Sequence, residues 1–209
     1  MIVGCDFSSY DAVLVGLPFP RPALTDQPVA ETVAFRPRHK SKPDDALDAM
    51  KRARTQLLQS RLFYQADAFW VEHGFGASRK ADFLMGAFFG IIVSTCSAAA
   101  PTNEILAGEW KREITGSCGV VTKTGNRGNF SIKKEEAHIY VRQVALTAGH
   151  DLDGYGPDML DAYAIATVGR WWNEKALGQP RVEGIAAPHP AVERAALARR
   201  AARRREAGT

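Results

Sequence analysis

The feature that most constrains this chain is an acid inside its first apolar run. Residues 2–8, IVGCDFS, read as a buried strand with Asp6 near its middle. An unpaired carboxylate there would cost several kcal/mol, so Asp6 has to lie at a strand end, pair with a cation or face a metal. Glu72 repeats the oddity, closing the apolar run AFWV. Asp158 and Asp161 follow Pro157, a residue suited to the first position of a helix. Their spacing of three puts both on one helical face, which continues through Ala162, Ile165, Val168 and Trp172 as a core stripe. Four carboxylates at element ends, aimed inward, repel one another unless cations intervene. Hard oxygen donors select Mg²⁺ or Mn²⁺ rather than zinc. Two such ions, about 4 Å apart, clamp the attacking and leaving oxygens of a phosphodiester.

The rest of the pattern frames these acids. Residues 2–8 and 11–17 alternate with a polar SSY turn between them and predict a hairpin. Residues 29–35 predict a third strand, and Arg36, Arg38, Lys40 and Lys42 share the loop after it. Asp44 is a candidate cap for a helix with apolar positions Leu47, Met50, Leu57, Leu58 and Leu62. Residues 66–72 predict a strand and residues 80–97 a helix, apolar on nearly every side and therefore expected to be sandwiched. A short helix is expected over 103–113, and a Gly-rich loop or small hairpin over 115–131, carrying Lys123 and Arg127. Helices over 134–148, stopped by Gly149, and over 157–176 complete the order. Hairpins first and crossovers later predict an α/β layered domain around a mixed sheet.

Residues 83–103 carry no charge, but Ser94, Thr95, Ser97, Pro101 and Asn103 dilute them, so a core helix is expected and no membrane partner. The opening residues lack the basic start of a signal peptide. Three widely spaced cysteines exclude a disulfide framework and have no metal-ligand spacing, so a reducing, cytoplasmic location is expected. Cys5 should face away from Asp6, because side chains alternate along a strand. His138 and His150 are read as surface or helix-end residues.

Charge divides the chain. Residues 190–209 hold six arginines against two glutamates, which equals the whole-chain net charge of +4, so residues 1–189 balance to zero. Residues 1–177 are expected to form one domain, with residues 178–209 a Pro-containing linker and basic tail. Like-charge blocks at a terminus often bind nucleic acid.

The segments GCDFSSYDAVLVGL, FWVEHGF and DMLDAYAIA resemble the three signatures of RuvC-type Holliday junction resolvases, within the RNase H-like superfamily. The resemblance spans about residues 2–172. It implies an RNase H-like α/β fold, a mixed five-stranded sheet flanked by helices. It implies that Asp6, Glu72, Asp158 and Asp161 are catalytic and hold two Mg²⁺ ions per site, with Mn²⁺ able to substitute. Phe75, three residues after Glu72, matches a Phe that stacks on bases at the junction centre. Lys134 or Lys133 matches a basic residue that contacts the scissile region. Asp151 and Asp153 lie close enough in sequence to replace or assist the last pair. The family's Gly-rich first turn is SSY here, and the basic tail suggests a divergent, phage-encoded member acting in the host cytoplasm.

The implied activity is an endodeoxyribonuclease that resolves four-way junctions by paired phosphodiester cleavage, as a homodimer. The apolar helix over 80–97 is a candidate dimer surface. Phe75, Lys123, Arg127, Lys133, Lys134, Arg199, Arg200, Arg203 and Arg204 are candidate DNA contacts, whose phosphate binding would weaken with salt. The alternatives are a broader flap and fork nuclease, an RNA–DNA hybrid nuclease, or a non-catalytic DNA-binding protein that relies on the tail. Hybrid nucleases carry their Glu on a helix and lack the Asp-x-x-Asp-Ala pair, and so rank lower.

Overall fold

The computed structural model describes residues 1–20, 27–35, 43–73, 79–115 and 134–179. Five strands form one mixed sheet in the order β3-β2-β1-β4-β5. β1 (Ile2–Phe7) and β2 (Asp11–Leu17) form the expected antiparallel hairpin, and β3 (Val29–Ala34) adds to β2 antiparallel. β4 (Ala68–Glu72) runs parallel to β1, and β5 (Thr102–Ile105) parallel to β4. The SSY turn closes without glycine. The Ser8 hydroxyl donates to Asp11 Oδ1 at 2.7 Å and accepts from the Tyr10 amide at 3.0 Å, a side-chain turn of the kind serine favours.

Strand alternation sorts the core into two layers. Ile2, Val13, Val15, Leu17, Ala68 and Trp70 face α4 (Ala107–Thr115), α5 (Lys134–Thr147) and α6 (Pro157–Ala176). Val3, Cys5, Phe7, Leu14, Phe69 and Val71 face α1 (Pro43–Leu57), α2 (Arg61–Gln65) and α3 (Arg79–Ser97). Cys5 is buried on the side away from α6, as its position next to Asp6 requires.

Three expectations need correction. Residues 102–105 are a strand and α4 begins at Ala107, where one helix over 103–113 was expected. Thr102 and Ile105 are β-branched, but Asn103 and Glu104 between them are poor strand formers, and four residues are too few to signal a strand. Pairing with β4, Phe69 opposite Thr102 and Glu72 opposite Ile105, imposes it. The first helix ends at Leu57 and is buried through Ala49, Ala53 and Leu57; Leu47 and Leu58 are exposed and Leu62 belongs to α2. It starts at Pro43, so Asp44 lies inside its first turn rather than before it. α3 is not sandwiched. Phe88, Ile92 and Cys96 point inward, whereas Gly86, Gly90, Ser94 and Ser97 are exposed and Phe83 is 81% exposed. A helix on the outer layer has only one face to bury, whatever its composition. No helix among the described residues is long and apolar enough to cross a membrane.

α6 lies unusually close to the sheet. A Cβ built on Gly4 would overlap the carbonyl oxygen of Ala162 and the amide nitrogen of Ala166, and one built on Gly169 would overlap the Trp70 indole. Glycine and alanine are what let helix and strand approach backbone to backbone. Gly4→Ala should therefore destabilise by about 3 kcal/mol or more, since rigid backbone must give way. For a chain of this size that lowers the melting temperature by roughly 6–12 °C. Gly108→Ala is the matched control: nothing lies within 4 Å of its Cβ, and alanine should stabilise α4 by about 0.5–1 kcal/mol. Thermal melts followed by circular dichroism test both, and equal melting of Gly4→Ala and wild type would refute the interlock.

Candidate active site

The close packing of α6 on β1 decides where the acids meet. Asp6 lies two residues beyond Gly4 on the same face of β1. Asp158 lies one turn before Ala162 on α6, on the stripe that contacts Gly4. Asp161 immediately precedes Ala162. Oxygens of Asp6, Asp158 and Asp161 come within 4.8 Å of one another. Three of the four expected acids thus form one tight group. The side chain of Asp161 is 7% exposed and that of Asp158 66%, so the group opens from the core to solvent.

Glu72 is not in that tight group. It ends β4 on the same sheet face, and its Oε2 accepts from the Trp110 indole Nε1 at 2.7 Å. Trp110 is fully buried on α4 and anchors this carboxylate from behind. Sequence alone offered no signal for this pairing, because the partners are 38 residues apart on a helix and a strand whose boundary was itself misread.

α5 supplies the countercharge. Lys134 Nζ donates to Asp161 Oδ2 at 2.6 Å and to Asp158 Oδ1 at 3.2 Å, so of the two candidate lysines the described one reaches the acids. One turn later, His138 Nε2 lies 2.6 Å from Asp161 Oδ1. A carboxylate only accepts, so Nε2 carries the hydrogen and donates it. His138 is 12% exposed in its side chain, which overturns the expectation of a surface or helix-end role. Its spacing of four from Lys134 was the available signal. His150 does stand at a helix end, just after α5, its Nδ1 2.8 Å from the Tyr163 hydroxyl.

Burial and crowding shape the ionisation of these groups. Burial first, then the Glu72 and Asp161 charges, push the Asp6 carboxyl from 3.8 to about 8. Burial also raises Glu72, opposed by the Trp110 hydrogen bond. Partial burial opposes the Lys134 charge, but the Asp161 and Asp158 carboxylates more than offset it and hold the ammonium above its usual range. An acid that keeps its proton through burial first and neighbouring acids second is one a cation would relieve, and the all-oxygen donor set fits a hard divalent ion.

Asp151 and Asp153 do not join the group. Asp151 Oδ1 accepts from the Asp153 amide at 2.8 Å, and the Asp151 amide donates to Gln27 Oε1 at 2.9 Å, so they build the exposed turn before α6. Phe75, Lys123, Arg127, Lys133, Arg199, Arg200, Arg203 and Arg204 lie outside the described residues, as do the loop over 36–42 and the tail.

No family model and no curated protein matches the sequence. Solved structures match in fold. A T. thermophilus RuvC in complex with a Holliday junction substrate is similar with a TM-score of 0.60 and 18% identity, over 84% of this chain and 95% of that one. A Thermus thermophilus RuvC structure gives a TM-score of 0.56 at 18% identity, over 85% of this chain and 96% of that one. The fold is that of RuvC, the RNase H-like architecture that the three segments implied.

The raised Asp6 carboxyl has a consequence for stability. Between pH 4 and 8 the folded chain holds a proton that the unfolded chain has released. The folded state binds more protons there, so stability falls as pH rises through that window and levels off above it. Glu72 is shifted in the same direction and adds to the slope. In chelator, the wild-type melting temperature should drop from pH 5 to pH 8, by an amount worth on the order of a few kcal/mol. Asp6→Asn should melt higher than wild type at pH 8 and show a shallower slope. Parallel slopes for the two proteins would rule out a protonated Asp6.

Proposed function

We propose that this chain is a metal-dependent, structure-selective endonuclease that resolves four-way DNA junctions by paired phosphodiester cleavage. The observation that carries the reading is the meeting of Asp6, Asp158 and Asp161 at one spot on a RuvC fold, with Glu72 on the same sheet face. The solved relative bound to a Holliday junction substrate supports branched DNA as the substrate class.

Asp6, Asp158 and Asp161 are the residues that would hold Mg²⁺ or Mn²⁺, and Glu72, steadied by Trp110, would contribute from the same sheet face. Bound divalent ions supply acidity to a water and charge to offset the phosphate. Asp158, the most exposed of the three close acids, lies on the side from which a phosphate would approach. Lys134 neutralises charge that develops on the phosphoryl oxygens, its ammonium leaving the carboxylates it now bridges. The burial of Asp161 limits the water around it and strengthens each of these interactions.

Phe75, Lys123, Arg127, Lys133 and the tail arginines Arg199, Arg200, Arg203 and Arg204 are the residues we assign to DNA contact. The exposed face of α3 around Phe83 is the surface we assign to a homodimer, whose two sites would nick strands related by the junction's two-fold axis. Phe83→Glu should turn a dimer into a monomer in sedimentation measurements without lowering the melting temperature of the protomer. A wild-type chain that sediments as a monomer at all concentrations would remove this assignment.

The activity is tested on a synthetic four-way junction, with flap, fork and RNA–DNA hybrid substrates alongside. Wild type with Mg²⁺ or Mn²⁺ should make paired, symmetric nicks in the junction. Asp6→Asn, Glu72→Gln and Asp161→Asn should each lose roughly 100-fold or more in rate while still binding the junction, because each removes a candidate ligand and a negative charge. Faster cutting of flaps would retain the site and change the substrate. Full activity in any of the three variants would sink the four-carboxylate reading, and cutting of nothing under any metal would leave a DNA-binding protein.

A further inference from the structure

α5 reaches the acids with two side chains one turn apart, and they do different things. Both grip the same carboxylate, Lys134 Nζ at Asp161 Oδ2 and His138 Nε2 at Asp161 Oδ1, each at 2.6 Å. Lys134 has a second partner, Asp158 Oδ1 at 3.2 Å, and a long flexible stem. It can withdraw along Asp158 toward solvent when a divalent ion enters. His138 has no such freedom: a short side chain with two rotatable bonds, on a helix, nearly buried. Its donor is fixed in place by the backbone of α5.

We propose that His138 is a positioning residue for the metal site. Its Nε2–H pins Oδ1 of Asp161, fixing the plane of that carboxylate. The other oxygen, Oδ2, is thereby presented on the side that Lys134 and Asp158 share, where a cation would sit. Without the pin, the Asp161 carboxylate would be free to rotate about its terminal bond, and every metal-binding event would have to order it again. Donors behind a ligating carboxylate typically contribute 10–100-fold to metal affinity. The proposal rests on the reading of Asp6, Asp158 and Asp161 as ligands, and it adds a residue of α5 that no acidic motif includes.

The test measures Mn²⁺ binding to the full chain without DNA, by electron paramagnetic resonance of the free ion. His138→Ala should weaken binding about 10–100-fold. His138→Gln carries an amide N–H at nearly the reach of Nε2, and should come back to within about threefold of wild type if the donor is what matters. The cleavage rate of His138→Ala should recover as Mn²⁺ is raised to saturation, which damage to the fold would not allow. Should His138→Ala melt near room temperature, His138→Leu, which fills the volume without a donor, takes its place with the same expectations.

Wild-type affinity in His138→Ala, or equally weak binding in His138→Ala and His138→Gln, would overturn the proposal. So would spin-echo modulation from a directly bound nitrogen in wild type, since His138 would then be a ligand. Asp161→Asn separates the two layers of the argument. If it loses Mn²⁺ while His138→Ala does not, only the positioning role fails. If wild type itself binds no Mn²⁺, the metal site and the positioning role fail together.

Discussion

Everything at this site depends on how closely α6 lies against β1. Gly4 leaves a gap that the backbone of Ala162 and Ala166 fills, so helix and strand touch without an intervening side chain. From that contact, Asp6 is two strand residues along and Asp158 one helical turn back. The two steps are of similar length, about 6.6 Å and 5.4 Å, and they converge at the same end of the packed pair. A single methyl group at residue 4 would push the helix outward and separate acids it does not touch. Geometry that looks like a property of four carboxylates is therefore set by residues with no functional groups.

The same closeness creates an electrostatic problem, which the neighbouring elements manage. Asp6 has little water and three acidic neighbours, and its carboxyl holds its proton up to about pH 8. Each of the other deep acids has been given a donor from a different helix. Trp110 of α4 serves Glu72, and Lys134 and His138 of α5 serve Asp161. Asp6 alone among them has no such side chain in its service among the hydrogen bonds described.

What could be read from the chain, and what could not, follows from the range of the forces involved. β1, β2 and α6 were legible because local rules define them: alternation, a polar turn, a proline at a helix start. The acids were legible because a carboxylate in an apolar run is costly wherever it occurs. β5 was not, because TNEI becomes a strand only when β4 lies beside it. The exposed face of α3 was missed because composition records how apolar a helix is, not how many neighbours it has. His138 and Trp110 were missed for the same reason. Their roles are defined by partners 23 and 38 residues away, and a histidine in a helix carries no mark of what it faces.

Gly4, Ala162, Ala166 and Gly169 have one more consequence, for how such proteins drift apart over time. The interlock is made of absences, written in the commonest and least distinctive residue types. Larger core side chains can exchange in compensating groups, and surface loops can be replaced outright, while helix and strand remain in contact and the acids remain aligned. The alignment of the acids in this chain thus rests on positions where no side chain stands, a form of order that distinctive letters do not spell out.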